Sequence, residues 1–357
     1  MNLPLLFEPL RLRGLTLRNR AWVPPMCQYA VDARDGVPTT WHTVHYGSFA
    51  IGGFGLVIAE ATGVTPEGRI SPFDTGLWND QQAEAWSRIV DFAHAQGAAM
   101  AVQLGHAGRK ASTNRWWPGH EDKVLTGEEG GWRPVGPVDE EGADALTEPE
   151  IEGVVEAFVQ AARRADAAGF DAVEVHAAHG YLLHQFYSPL SNTRTDAWGG
   201  DHAGRTRLVR TVAAGVRAAF PDDKPVLVRL SGTDWIEGGW TIEDSVRLVR
   251  DLRELGVDLV DVSSGGVAPA RIPASPGYQV DLAQRIRRET SMPTAAVGLI
   301  TDPTHAEAIL ANGRADAVLL GRASLRDPNW PLRAANALGV RPEDAPYAPA
   351  RWRSHWG

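Results

Sequence analysis

Short apolar, β-branched runs recur eight times along this chain, and most are followed by an amphipathic stretch with helical period. This alternation limits the fold more than any other feature. The runs lie near Ala21–Pro25, Leu56–Glu60, Ala99–Leu104, Ala172–His176, Val226–Leu230, Leu259–Ser263, Thr294–Gly298 and Ala317–Leu320. Helical stretches cover Gln82–Ala95, Pro149–Ala168, His202–Ala219, Ile242–Leu255, Val280–Glu289, Pro303–Ala311 and Trp330–Leu338. Thr147, Thr241 and Asp302 stand where N-caps belong, and Gly169, Gly256 and Gly313 where a left-handed C-terminal cap is expected. Eight such alternations predict a parallel sheet closed into a single (β/α)8 TIM barrel over residues 1–357. The competing open, doubly wound sheet needs a glycine-rich turn after its first strand, and Pro24–Tyr29 has no glycine. One long interruption, residues 105–146, follows the third strand and reads as a lid.

Charge and cysteine content narrow the class. The net charge of -9, with no Lys/Arg-rich block, argues against nucleic acid and anionic membranes as partners. No apolar run reaches spanning length and Met1–Leu10 carries no leader pattern, so a cytoplasmic enzyme of small molecules is expected. The lone Cys27 cannot form an intrachain disulfide or a cysteine-held zinc or iron–sulfur site.

In a barrel of this kind the C-terminal strand ends build the active site. Here they deliver Cys27, Gln28 and Tyr29, then Glu60–Thr62, then Gln103, His106, Arg109 and Lys110. The fourth delivers His176, His179 and Tyr181, the fifth Arg229, and the last three Ser263–Gly266, Gly298 and Gly321–Arg322. Two imidazoles and a phenol can grip one carbonyl oxygen and supply a proton nearby. Glycines at the last two strand ends, with Arg322, suit a phosphate. Together with Gln103 and Arg229 they describe a ligand with a phosphate tail and a planar polar head, which flavin mononucleotide (FMN) fits. Arg229 beside a reduced flavin would stabilise its negative charge, or else would pair with a barrel carboxylate. Cys27 reads either as a small buried hydrophobe or as a contact to the ring system. Arg109 and Lys110 either guide an anionic nicotinamide cofactor or solvate the lid. No metal is expected, because the His176/His179 pair lacks an evident third ligand.

Taken together, several segments resemble the old yellow enzyme family. They are Pro24-Pro25-Met26-Cys27-Gln28-Tyr29, Glu60-Ala61-Thr62, Gln103 to Lys110, His176 to Leu182, Ser191 to Gly200 and Gly321-Arg322. The cysteine after Pro-Met is similar to the bacterial thermophilic-like branch, which includes xenobiotic reductases. The resemblance implies an FMN-dependent NADPH dehydrogenase and ene-reductase, with NADH a possible reductant. Its substrates would be α,β-unsaturated aldehydes, ketones, maleimides or nitroalkenes. It implies that His176 and His179 hold the activating oxygen and that Tyr181 protonates the α-carbon. It assigns Pro25, Met26, Cys27, Ala61, Gln103, His176, Arg229, Gly298, Gly321 and Arg322 to FMN, and Cys27 and Tyr29 to substrate. It also implies a homodimer or homotetramer whose tail, residues 339–357, reaches a neighbouring subunit's site through Arg351 or Trp352.

Other readings are a metal hydrolase, a tRNA dihydrouridine synthase and a non-catalytic flavin carrier. The hydrolase leaves the phosphate site unexplained, and the synthase needs a basic surface that the net charge of -9 does not favour. The larger dienoyl-CoA reductases need an iron–sulfur cluster that one cysteine cannot hold.

Overall fold

The computed structural model describes residues 3–356; residues 1, 2 and 357, including the last residue of the tail, lie outside it. An antiparallel hairpin of β1 (Leu10–Leu12) and β2 (Leu15–Leu17) precedes the barrel. The chain continues through β3 (Ala21–Val23), α1 (Thr40–Ile51), β4 (Leu56–Gly63), α2 (Asp80–Ala95) and β5 (Ala99–Gly105). The segment 105–146 contributes only 3-10 turns and the short parallel pair β6 (Val135–Gly136) and β7 (Asp144–Ala145). Then come α3 (Glu148–Ala167), β8 (Ala172–Ala177), α4 (Leu182–Tyr187), α5 (His202–Arg205), α6 (Arg207–Ala219), β9 (Val226–Ser231) and α7 (Ile242–Glu254). The chain closes with β10 (Leu259–Ser263), α8 (Val280–Thr290), β11 (Thr294–Ala296), α9 (Pro303–Ala311), β12 (Ala317–Leu319), α10 (Gly321–Arg326) and α11 (Trp330–Ala337).

Strands β3, β4, β5, β8, β9, β10, β11 and β12 pair in parallel and close on one another, giving the expected (β/α)8 barrel. Outward-facing strand residues pack against the helices in one large apolar cluster that includes Val57, Val102, Val175, Val228 and Val260. Inside the barrel's lower end, Trp22, Ile58, Leu227, Leu259 and Leu319 form a separate apolar plug. Leu12 and Leu17 of the hairpin seal that plug from below. Buried barrel strands are near-continuously apolar for this reason: both faces lie out of water. The predicted caps hold. Asp302 and Thr241 accept from backbone N–H groups three residues on, Thr147 closes a capping box, and Gly169, Gly256 and Gly313 all have positive φ.

The boundaries differ in places. The first strand ends at Val23, not Pro25, because two successive prolines lack the N–H that a ladder needs. The run expected as one helix over His202–Ala219 is two, divided at Thr206, whose hydroxyl donates to the His202 carbonyl. The hairpin, the β6–β7 pair, α4 and α10 were not expected, nor was α1, whose first turns are rich in Thr, His, Trp and Val rather than strong helix formers.

Candidate active site

The run that begins at His176 leaves the barrel and immediately bends back. His179 takes the left-handed conformation at φ +61°, and Gly180 follows at φ +72°. A Cβ on Gly180 would collide with the Gly266 carbonyl, so the bend requires glycine there. Tyr181 then stands just ahead of α4. The result is compact. The His176 ring centroid lies 5.3 Å from that of His179 and 5.0 Å from that of Tyr181, both near edge-on.

The bend is held from several sides. The Lys110 ammonium donates to the carbonyls of His179 (2.8 Å) and Gly266 (3.3 Å) and sits 4.9 Å over the Tyr181 ring. Ser231 Oγ accepts the His179 N–H at 3.0 Å, and Ser263 Oγ lies 2.6 Å from His179 Nε2. His184 Nδ1 accepts the Gly180 N–H, while its Nε2 meets Asp234 at 2.8 Å in a buried pair. Ser231, His184 and Asp234 were not singled out from sequence, and Ser263 stood only as a strand end. Their placement around the bend depends on the neighbouring strands β9 and β10 and on the first turn of α4. Lys110 is thus committed to the loop, and Arg109 to Glu140 of the 105–146 segment and to the Val267 carbonyl.

Two cavities meet at Arg229. One, of about 280 Å3, is lined by Pro25, Cys27, Tyr29, Ala61, Gln103, Trp116, His176, His179 and Tyr181. The other, of about 210 Å3, is lined by Ser263, Tyr278, Gly298, Gly321, Arg322 and Arg326. Arg229 lines both. Met26 lines neither; its sulfur packs behind Gly321, and its carbonyl accepts from the Gln28 side chain. Gly298 sits at φ +126° against the Tyr278 ring, a conformation that a side chain would strain. Arg351 and Trp352 lie elsewhere on this chain. They are exposed, and Arg351 borders a separate surface cavity of about 690 Å3 and bonds Asn329.

Burial sets the protonation states. It pushes His176 and His179 well below the usual imidazole range, aided by the positive charge of Arg229, so both rings are neutral. A neutral ring donates from one nitrogen only, which gives Ser263's contact to Nε2 a say in which nitrogen of His179 faces the cavity. Burial, then the neighbouring Cys27 and Asp74, raises Tyr181, which therefore keeps its proton. The Cys27 thiol is raised by burial and by Asp74 and Glu60, and stays neutral. Cys27, Glu60 and Asp74 bring three ligand-type atoms within 4.8 Å. Glu60 is already engaged, accepting from the Tyr46 hydroxyl and the Gln28 N–H, and so braces the segment that carries Cys27.

The donor set fits FMN. The smaller cavity gathers three guanidinium groups, and Arg322 and Arg326 enter it without the carboxylate partners that hold Arg314 and Arg333. That is an anion site. The larger cavity combines the flat apolar surfaces of Pro25 and Ala61 with the Gln103 amide and Arg229, as a planar polar ring requires. A bare polar atom remains on the buried wall at His176 Nδ1.

Comparison with known proteins agrees with this geometry. Residues 5–340 match the model of the NADH:flavin oxidoreductase / NADH oxidase family. An NADPH dehydrogenase of Geobacillus thermodenitrificans is 47% identical over 351 residues, covering 98% of each chain. Morphinone reductase solved with tetrahydroNAD superposes with a TM-score of 0.77 at 30% identity, over 94% of this chain and 91% of that one. An old yellow enzyme homologue from Zymomonas mobilis gives 0.78 at 28% identity, over 96% of this chain and 99% of that one.

Proposed function

The chain belongs to the NADH:flavin oxidoreductase / NADH oxidase family as an FMN-dependent NADPH dehydrogenase, and from that premise we propose that it is an ene-reductase. Its substrates in this reading are activated alkenes: α,β-unsaturated aldehydes and ketones, maleimides and nitroalkenes. The observation that carries the reading is the convergence of His176, His179 and Tyr181 on the cavity that Arg229 joins to the anion site.

FMN would be held by Pro25, Cys27, Ala61, Gln103 and Arg229 around its ring and by Gly298, Gly321 and Arg322 around its phosphate. The chemistry it supplies when bound is hydride transfer, drawn from NADPH and given to an electron-poor carbon. His176 and His179 bind the activating oxygen of the substrate as neutral donors. Negative charge collects on that oxygen as the alkene is reduced, and two fixed donors in a water-poor cavity stabilise it there. Tyr181, protonated throughout the physiological range, delivers its phenol proton to the α-carbon. Tyr29 and the neutral Cys27 thiol shape the surface against which the alkene lies. The segment 105–146 supplies Trp116 to the same cavity and acts as its lid. The exposed tail fits a homodimer, or a tetramer of paired dimers, in which Arg351 or Trp352 reaches a neighbouring copy's mouth.

Half-reactions test the assignment. In Tyr181→Phe, reduction of bound FMN by NADPH keeps its rate, whereas reoxidation by 2-cyclohexenone slows about 10²–10⁴-fold, the usual worth of a positioned acid. Equal slowing of both half-reactions removes Tyr181 from the role of proton donor.

A further inference from the structure

The barrel interior changes character abruptly above its apolar plug. The next level carries Gln103 on β5, Glu174 on β8, Arg229 on β9 and Asp261 on β10, all buried. Register brings them together: Gln103 pairs with Glu174, and Arg229 with both His176 and Asp261. Gln103 Nε2 donates to Glu174 Oε1 at 2.7 Å, and Arg229 Nε lies 2.9 Å from Asp261 Oδ2. Ala295 pairs with Asp261 on one side and Ala61 with Gln103 on the other, while Glu60, in the bulge before Ala61, is engaged by the Tyr46 hydroxyl and the Gln28 N–H. His176 lies above, itself neutral.

Two carboxyl groups and one guanidinium are therefore sealed together, with no second cation among them. Two buried anions beside one cation leave an uncompensated charge in a medium that solvates it poorly. Glu174 Oε2 and both Asp261 oxygens lack an aligned donor, which leaves room for a proton on either acid. We propose that Glu174 and Asp261 hold one proton between them beneath Arg229, and thereby set the charge that Arg229 presents to the flavin. Both acids are displaced upwards, first by burial: Glu174 to about 8, with Asp261 adding to the rise and Arg229 opposing it, and Asp261 to about 6, also opposed by Arg229. Asp261 takes the ion pair with Arg229, so the proton resides mainly on Glu174. Asp261 is the working counter-ion and positioning residue of Arg229, and the balance is neutral overall.

The effect on the flavin rests on the function proposed above; the proton count does not, and the two are read separately. Infrared spectra of FMN-free protein at pH 7, taken as wild-type-minus-variant differences so that bands from all other carboxyl groups cancel, report the proton. Glu174→Gln loses one neutral-carboxyl band. Asp261→Asn loses one as well, because Glu174 then ionises as the sole counter-ion of Arg229. A neutral-carboxyl band that survives in Asp261→Asn, or no band lost in Glu174→Gln, overturns the sharing.

The FMN midpoint potential, measured against reference dyes, reports the consequence. At pH 7 each single variant still balances Arg229 with one anion and stays close to the wild type, whereas the double variant leaves Arg229 unbalanced and shifts upwards. When alkaline pH takes the proton from the wild-type cluster, the cluster turns negative, so its potential falls more steeply than that of Glu174→Gln. A single variant whose potential already matches the double variant overturns the proposal. A protein that shows the infrared pattern but cannot bind FMN overturns the proposed function and leaves the shared proton standing.

Discussion

The two ends of the barrel interior are built from the same strands by opposite rules. At the lower end Trp22, Ile58, Leu227, Leu259 and Leu319 interlock with the hairpin's Leu12 and Leu17 and leave no polar side chain in the cluster. At the upper end the same strands carry Gln103, Glu174, His176, Arg229 and Asp261, and several of their polar atoms have no aligned partner. Close packing is what stability asks of a barrel. Unsatisfied buried groups cost stability, so the cluster of them inside the upper barrel marks one place where the fold trades it for chemistry. Stability should therefore respond to the floor and activity to the mouth.

The sharpest way to break that division is at the mouth. Replacing His176 and His179 together by Ala should lower enone turnover by at least the roughly 10²–10³-fold that one such donor is worth, with FMN content unchanged. Unaltered turnover in steady-state assays would sink the assigned role. At the floor, Trp22→Ala should destabilise the protein by about 3–5 kcal/mol in denaturant unfolding while kcat per folded molecule persists. A variant that keeps its stability but loses activity would reverse the comparison.

The smallest effect is on pH. His45 and His106 are lowered to about 4, and His176, His179 and His184 also fall below their usual 6.5, chiefly through burial. The unfolded chain binds their protons more readily. The stability these five rings contribute is therefore complete above pH 6.5 and declines as pH falls below it. A scan of melting temperature that stays flat well below 6.5 would mean that these rings are not buried neutral in the fold.

The fold was legible because its signal is long-range and repeated: eight β-branched runs, three of the helix N-caps and the glycines after the helices. What escaped was local and weak. The hairpin spans two three-residue strands, and α1 carries Trp41 and Val44 on its exposed face, which blurs its apolar stripe. At the site, His176, His179, Tyr181 and Arg229 were visible as reactive residues at strand ends, where a barrel concentrates them. Arg229 pairs with a barrel carboxylate, Asp261, as one of its alternatives had it, and it also lines the cavities. Ser231, Asp234 and Asp261 were hidden because a serine or aspartate has many structural uses. Only register across neighbouring strands reveals which ones turn toward an imidazole or a guanidinium.

The hairpin under the barrel has a kinetic corollary. With Leu12 and Leu17 wedged into the lower end, the cavity that Trp116 lines lies at the opposite end, beside His176 and His179. In the proposed reaction a nicotinamide and an alkene would then take turns at that one cavity. Double-reciprocal plots at several fixed concentrations of the second reactant should run parallel, each visitor competing with the other at high dose.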